Sequence, residues 1–265
     1  MGIVNVTPDS FSDGGRHPTP AAAIDHGLRL VERGAAIVDV GGESSRPGAA
    51  PVTTAEELRR VLPVVEGLAA TGAVVSIDTA KPDVAAAAID AGAQIVNDIT
   101  GLTSPRMRQV CARAGVGVVI MHMRGEPATM QEHPTYDDVV GEVATFLARQ
   151  AEVAVAAGIA PERIVVDPGI GFGKTFAHNL LLLGELDRIV ALGFPVLVGL
   201  SRKGFLGAIL EAAGMEPTIS NRDVASAAGA AAAILAGADI VRTHDVVTTR
   251  AATTVADAIV RGWNR

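Results

Sequence analysis

Apolar and polar positions follow one repeated unit along this chain: a glycine, a short apolar run, and a polar residue that ends it. The unit occurs as Gly34-Ala-Ala-Ile-Val-Asp39, Gly72-Ala-Val-Val-Ser-Ile-Asp78 and Gly92-Ala-Gln-Ile-Val-Asn97. It returns from Gly115 to His122, Gly158 to Asp167, Gly193 to Ser201 and Gly237 to Arg242. Each glycine suits a left-handed helix end, and each run has the β-branched content of a strand buried on both faces. The stretches between, such as 54–70, 137–157 and 175–192, read as helices, with Pro82 and Pro105 where a first helical turn tolerates proline. Adding Gly2–Asn5 gives eight strands alternating with helices. The predicted fold is therefore α/β, a single (β/α)8 TIM barrel. A doubly wound open sheet is the runner-up, but it more often has five or six strands. No linker or charge run divides residues 1–265, so one domain is expected.

Composition narrows the partners. The core must be built from Ala, Val, Ile and Leu, because aromatics are only 3% of the 265 residues. A net charge of -7 disfavours nucleic acid and acidic membranes, so any anion site must be local. Cys111 is the one cysteine, which excludes an internal disulfide and fits a reducing cytoplasm. The longest mainly apolar stretch, 224–238, is mostly alanine and too short for the ~20 residues of a span, so it reads as a buried helix. No export leader is read, and because the chain opens almost directly on a motif, a short preceding segment is expected.

In such barrels the site lies at the C-terminal ends of the strands. Those ends read Asn5, Asp39 with Glu43, Asp78, Asn97 with Asp98, His122, Asp167, Ser201 with Lys203, and Arg242 with His244. Any one of these side chains could serve as a helix cap or a loop ion pair. A polar group at nearly every strand end points to a site. Asp78, Asn97 and Asp167 form an acceptor-rich trio suited to a flat heterocycle with paired N–H donors. A divalent metal site or an acid/base pair are equally open readings of the same trio. Lys203, Arg242 and His244 follow strands 7 and 8, where such barrels often bind phosphate; pairing of Lys203 and Arg242 with Asp167 and Asp78 is the simpler alternative.

Three motifs carry no support. Gly169-Ile-Gly-Phe-Gly-Lys-Thr175 looks like a nucleotide loop, but Pro168 stands where its first glycine is required. His122, His133 and Cys111 lack zinc spacing, and no Gly-x-Ser-x-Gly elbow occurs.

Asn5-Val-Thr-Pro-Asp-Ser-Phe-Ser-Asp-Gly-Gly15 and Asp39-Val-Gly-Gly-Glu-Ser-Ser-Arg-Pro-Gly48 resemble the first two loop signatures of the dihydropteroate synthases. Ser76-Ile-Asp-Thr79, Val96-Asn-Asp-Ile99, Met121-His-Met123, Asp167–Lys174, Gly199–Lys203 and Arg242-Thr-His244 match that family's strand ends, so the resemblance runs from Gly2 to about Val246. It implies condensation of 6-hydroxymethyl-7,8-dihydropterin diphosphate with p-aminobenzoate to 7,8-dihydropteroate and diphosphate, in folate biosynthesis, with sulfonamides competing for the aminobenzoate position. Asp78, Asn97, Ile99, Asp167, Leu197, Gly199 and Lys203 would hold the pterin. Asn5, Arg46, Arg242 and His244 would hold the diphosphate, with Mg²⁺ on Asn5. Phe11, Ser45, Phe172, Ser201 and Lys203 would form the p-aminobenzoate side. Lys203, Arg242, His244, Asp78 and Asp167 would be catalytic, along an SN1-like path with Mg²⁺-assisted diphosphate departure. The resemblance also implies a cytoplasmic homodimer that pairs through late helices.

Ser45 stands where the family commonly has threonine and Thr243 where valine is frequent; loss of one methyl contact at Ser45 is expected to cost about 1 kcal/mol. Two other functions remain in view. One is a catalytically silent pterin-binding copy. The other is a barrel like the methyltetrahydrofolate–corrinoid methyltransferases, which would not need the cationic cluster.

Overall fold

The computed structural model describes residues 1–7, 19–45 and 48–262. The strands are β1 (Gly2–Asn5), β2 (Val38–Gly41), β3 (Val75–Asp78), β4 (Ile95–Asp98), β5 (Gly117–Met121), β6 (Ile164–Asp167), β7 (Leu197–Gly199) and β8 (Ile240–Arg242). The helices are α1 (Pro20–Glu32), α2 (Thr54–Ala69), α3 (Pro82–Asp90), α4 (Pro105–Ala114), α5 (Val139–Ala156), α6 (Phe176–Gly184), α7 (Asp187–Val190), α8 (Gly204–Ala212), α9 (Ile219–Leu235) and α10 (Val246–Arg261). β1 to β6 pair parallel in chain order, and β7 pairs with β8. Bridges Val166↔Val196 and Gly2↔Thr243 join the two sets, so the eight strands close into a barrel as expected.

Local chemistry places the elements. Ser, Thr or Asp side chains accept the backbone N–H at the start of α1, α2, α4, α5, α6, α9 and α10. The repeated glycines at 34, 72, 92, 115, 158, 193 and 237 all have positive φ, the conformation that a side chain disfavours. Two expected helices change shape. The stretch 175–192 divides into α6 and α7, with the backbone leaving the helix at Glu185. Residues 137–157 start later, because Asp138 caps α5 rather than lying within it. The alanine-rich 224–238 supplies residues 224–235 of α9, which begins at Ile219; only one face of it is buried, at Ser226, Ala227, Ala230 and Ala233, while Val224 and Leu235 are exposed, so it is a surface helix rather than the buried helix expected.

Strand alternation then builds the site. Val38, Val40, Val75, Ile77, Val96, Val118, Ile120, Ile164, Val166 and Val198 belong to the core packed under the helices. Their neighbours therefore face the barrel interior. Asp39, Ser76, Asp78, Asn97, Met121, Asp167 and Gly199 thus stack inward towards one rim.

Candidate active site

A cavity of about 1170 Å³ opens at that rim. It is lined by Asn5, Ser45, Asp78, Asn97, Ile99, Asp167, Phe172, Gly199, Ser201, Lys203, Arg242 and His244. These are the expected site residues with one exception among those described. Leu197 does not line the cavity: it is fully buried at the start of β7, one inward position below Gly199. Its side chain lies in the layer beneath the cavity floor. Phe11 and Arg46 lie outside the described residues.

The central feature is an ion-paired cluster under the cavity. Arg242 donates from Nε to Asp39 Oδ2 at 2.6 Å and from Nη2 to Asp78 Oδ2 at 2.7 Å. Asn97 Nδ2 donates to the same Asp39 oxygen at 3.1 Å. Asp39 is 0% exposed, and its Oδ1 has no hydrogen-bond partner among the described residues. Asp39, expected at the end of its strand, is the second residue of β2, two places before Gly41, which pairs with Asp78; its hydrogen bond from Nε makes it the anchor of Arg242.

Electrostatics follow from this crowding. Burial raises the Asp78 carboxyl to about 7, against the pull of Arg242. Burial also raises Asp167 to about 6, opposed by the Gly169 N–H and by Lys203. Lys203 is lowered to about 8 by burial and by the neighbouring Arg242 charge. Arg242 is held above its ordinary range: burial opposes its charge, but Asp39 and Asp78 outweigh it. The cavity thus presents carboxyl groups that titrate near neutral pH beside the fixed charge of Arg242.

Beyond β6, the segment 168–174 forms one wall. Gly169 donates to Asp167 Oδ1 at 2.7 Å, and Phe172 sits under Lys203 Nζ, 4.0 Å from the ring centroid. On the far side Ser201 Oγ and His244 Nδ1 are 2.8 Å apart, and the His244 N–H donates to Ser201 Oγ. Glu43, below the second loop, accepts from Val52 N–H and from Lys81, which also bonds the fully buried Glu57. Thr79 Oγ1 donates to Glu57 as well, so this network ties the loop base to α2 and to the end of β3. The Thr243 hydroxyl lies 2.9 Å from that of Thr249, so the departure from valine leaves no stranded polar group.

Gly169 is needed at its position. Its φ is +66°, and an added Cβ would overlap the His122 carbonyl oxygen. Gly169→Ala is expected to cost about 2 kcal/mol of stability by denaturant titration, through left-handed strain plus that clash. A change below 0.5 kcal/mol, on the order of an ordinary surface substitution, would show that the loop tolerates a shift.

The geometry agrees with what comparison with known proteins finds. The model of the family described as "Pterin binding enzyme" matches residues 1–244. A dihydropteroate synthase of Mycobacterium leprae is 51% identical over 249 residues, covering 93% of this chain and 88% of that protein. Among solved structures, a Yersinia pestis dihydropteroate synthase in a sulfonamide drug complex superposes with a TM-score of 0.91 at 44% identity, covering 98% of this chain and 94% of its own. The Xanthomonas albilineans dihydropteroate synthase in complex with 7,8-dihydropteroate gives a TM-score of 0.86 at 47% identity, covering 98% and 92%. The chain belongs to the dihydropteroate synthases. It is accordingly a transferase of folate biosynthesis. The dihydropteroate synthase signatures read in the sequence fall on the loops and strand ends around the cavity, except where they enter residues 8–18 and 46–47.

Proposed function

We propose that this cavity holds 6-hydroxymethyl-7,8-dihydropterin diphosphate with its ring among Asp78, Asn97, Asp167 and Lys203, and admits p-aminobenzoate beside Phe172, Ser201, Ser45 and Lys203. The observation that carries the reading is the convergence of β3, β4 and β6 acceptors with the β8 guanidinium at one rim. The carboxylates match the paired N–H edge of a pterin. In this reading Arg242, His244 and Asn5, all of which line the cavity, hold the diphosphate tail together with Arg46. The carbon–oxygen bond breaks with its electron pair leaving on diphosphate. The positive charge left on the methylene carbon is spread into the electron-rich ring and faces Asp78 and Asp167. The neutral arylamine nitrogen then forms the carbon–nitrogen bond and loses its proton to diphosphate or solvent. No strong general base is needed.

Asn5 fits a Mg²⁺ that arrives with the diphosphate. Its side chain is half-buried at the cavity and has no hydrogen-bond partner among the described residues, and Mg²⁺ commonly takes one or two protein oxygens plus phosphate. When bound there, the ion would neutralise charge on the leaving diphosphate. Arg242 and His244 would help to orient the same diphosphate. Phe11, which lies outside the described residues, belongs to the p-aminobenzoate side in this reading.

Residues 1–265 read as one pterin-binding barrel working in the cytoplasm as a homodimer. The outward-facing apolar side chains of the late helices support pairing: Val224 in α9 and Val255 and Ile259 in α10 are all more than half exposed. No helix among the described residues is long and apolar enough to cross a membrane. The cationic cluster and the identity to dihydropteroate synthases weigh against the corrinoid-methyltransferase reading.

Proton release tests the ring pocket. Asp167 and Asp78, raised to about 6 and about 7, are partly protonated in the empty site at pH 6. Pairing with ligand N–H donors favours their ionised forms and lowers both values, so binding releases protons and tightens as pH rises from 5.5 to about 7. Calorimetry of 6-hydroxymethylpterin in two buffers of different ionisation heat should show this release at pH 6; proton uptake would contradict it. Turnover is tested by diphosphate release, which should require both substrates and Mg²⁺. No release despite intact pterin binding would favour a silent copy.

A further inference from the structure

The segment that carries Phe172 is held by an interior contact the reaction does not use. Lys174 is 1% exposed. Its ammonium lies 2.9 Å from His122 Nδ1, 3.3 Å from the His122 carbonyl oxygen and 3.0 Å from the Phe172 carbonyl oxygen. Three acceptors match the three protons of an ammonium. His122 is buried against Phe146, edge to face at 5.0 Å, and burial with the nearby Lys174 charge lowers it to about 3. It is therefore a neutral ring whose Nδ1 lone pair can accept from Lys174, with its proton on Nε2. Burial lowers Lys174 itself to about 7. A methionine would fill the same space without desolvating a charge.

The neighbouring carbonyls are fixed from the outside. Gln131 donates to Gly171 O at 2.7 Å and the Tyr136 hydroxyl donates to Gly173 O at 2.8 Å. Lys174 takes the carbonyl between them, that of Phe172, and ties it to the end of β5. The Phe172 ring is left against Lys203.

We propose that Lys174 is a positioning residue for the arylamine side of the cavity: clamped on His122 and the Phe172 carbonyl, it holds the Phe172 ring on Lys203 and so shapes the subsite of the second substrate. The inference rests on the substrate reading above. It separates the two substrates, because Asp78 and Asn97 of the ring pocket make no hydrogen bond to Lys174, and Asp167 on β6, which feels the Lys174 charge, is held by its own hydrogen bond from the Gly169 N–H. Lys174→Met should raise KM for p-aminobenzoate about tenfold, while KM for pterin diphosphate and calorimetric binding of 6-hydroxymethylpterin stay within about twofold. His122→Leu, which removes the acceptor from the other side, should reproduce that split. His122→Asn, which keeps an oxygen near the Nδ1 position, should restore most of it. If Lys174→Met does not fold, the two His122 variants carry the test alone. Equal rises in both KM values, or a stability loss with both KM values unchanged, would overturn the clamp. A parent enzyme that binds pterin but never consumes p-aminobenzoate would overturn the substrate reading instead, and this inference with it.

Discussion

Arg242→Ala is expected to destabilise the protein by about 3–5 kcal/mol in denaturant titration, because it strands a buried carboxylate. The guanidinium bridges Asp39 and Asp78, and Asp39 is fully buried. Without it, Asp39 keeps only the Asn97 amide as a side-chain donor among the described residues. Asp39→Asn combined with Arg242→Ala should therefore cost less than the sum of the two single changes. Arg242→Lys keeps the charge but cannot fork to both carboxylates, and should recover less than half of the loss. The same residue should discriminate ligands. Where the variant is still folded, it should bind pterin diphosphate far more weakly than the parent but 6-hydroxymethylpterin only modestly so. Equal losses for the two would remove Arg242 from the anion site.

Asp167→Asn should weaken 6-hydroxymethylpterin by ~2 kcal/mol or more, about 30-fold, with the fold retained. Asp167 Oδ1 is committed to the Gly169 N–H at 2.7 Å, and its other oxygen has no hydrogen-bond partner among the described residues. An asparagine that keeps its oxygen on Gly169 must turn its NH2 towards the cavity. It then meets ligand N–H donors with donors of its own. Calorimetry reads the change directly, and unchanged affinity would exclude Asp167 from the ring pocket.

The architecture was legible because each repeat states its own boundaries: a glycine needing positive φ, a β-branched run, and a polar stop. Asp78, Asn97, Asp167 and Arg242 led to the site because strand alternation sends them inward, whereas Asp98 and His122, each one place further along, turn away from the cavity. What escaped did so for identifiable reasons. Lys174 follows a glycine-rich loop, where a lysine normally reads as solvated, and only the fold shows it turned inward against His122. Glu57 follows Glu56 in an amphipathic helix, yet it is fully buried because Thr79 and Lys81 reach it from the next strand end. Asp39 looked like one strand end among eight; its pairing with Arg242 spans more than two hundred residues, and no local pattern encodes that. Leu197 lies one layer below the rim, a position that alternation alone does not reveal.

A crystal structure of the protein with 7,8-dihydropteroate measures the central claim directly. The pterin edge should lie against Asp78, Asn97 and Asp167, with the aminobenzoate portion passing between Phe172 and Lys203. A product seated elsewhere on the barrel, or in this cavity with its pterin ring away from those three side chains, would contradict the assignment.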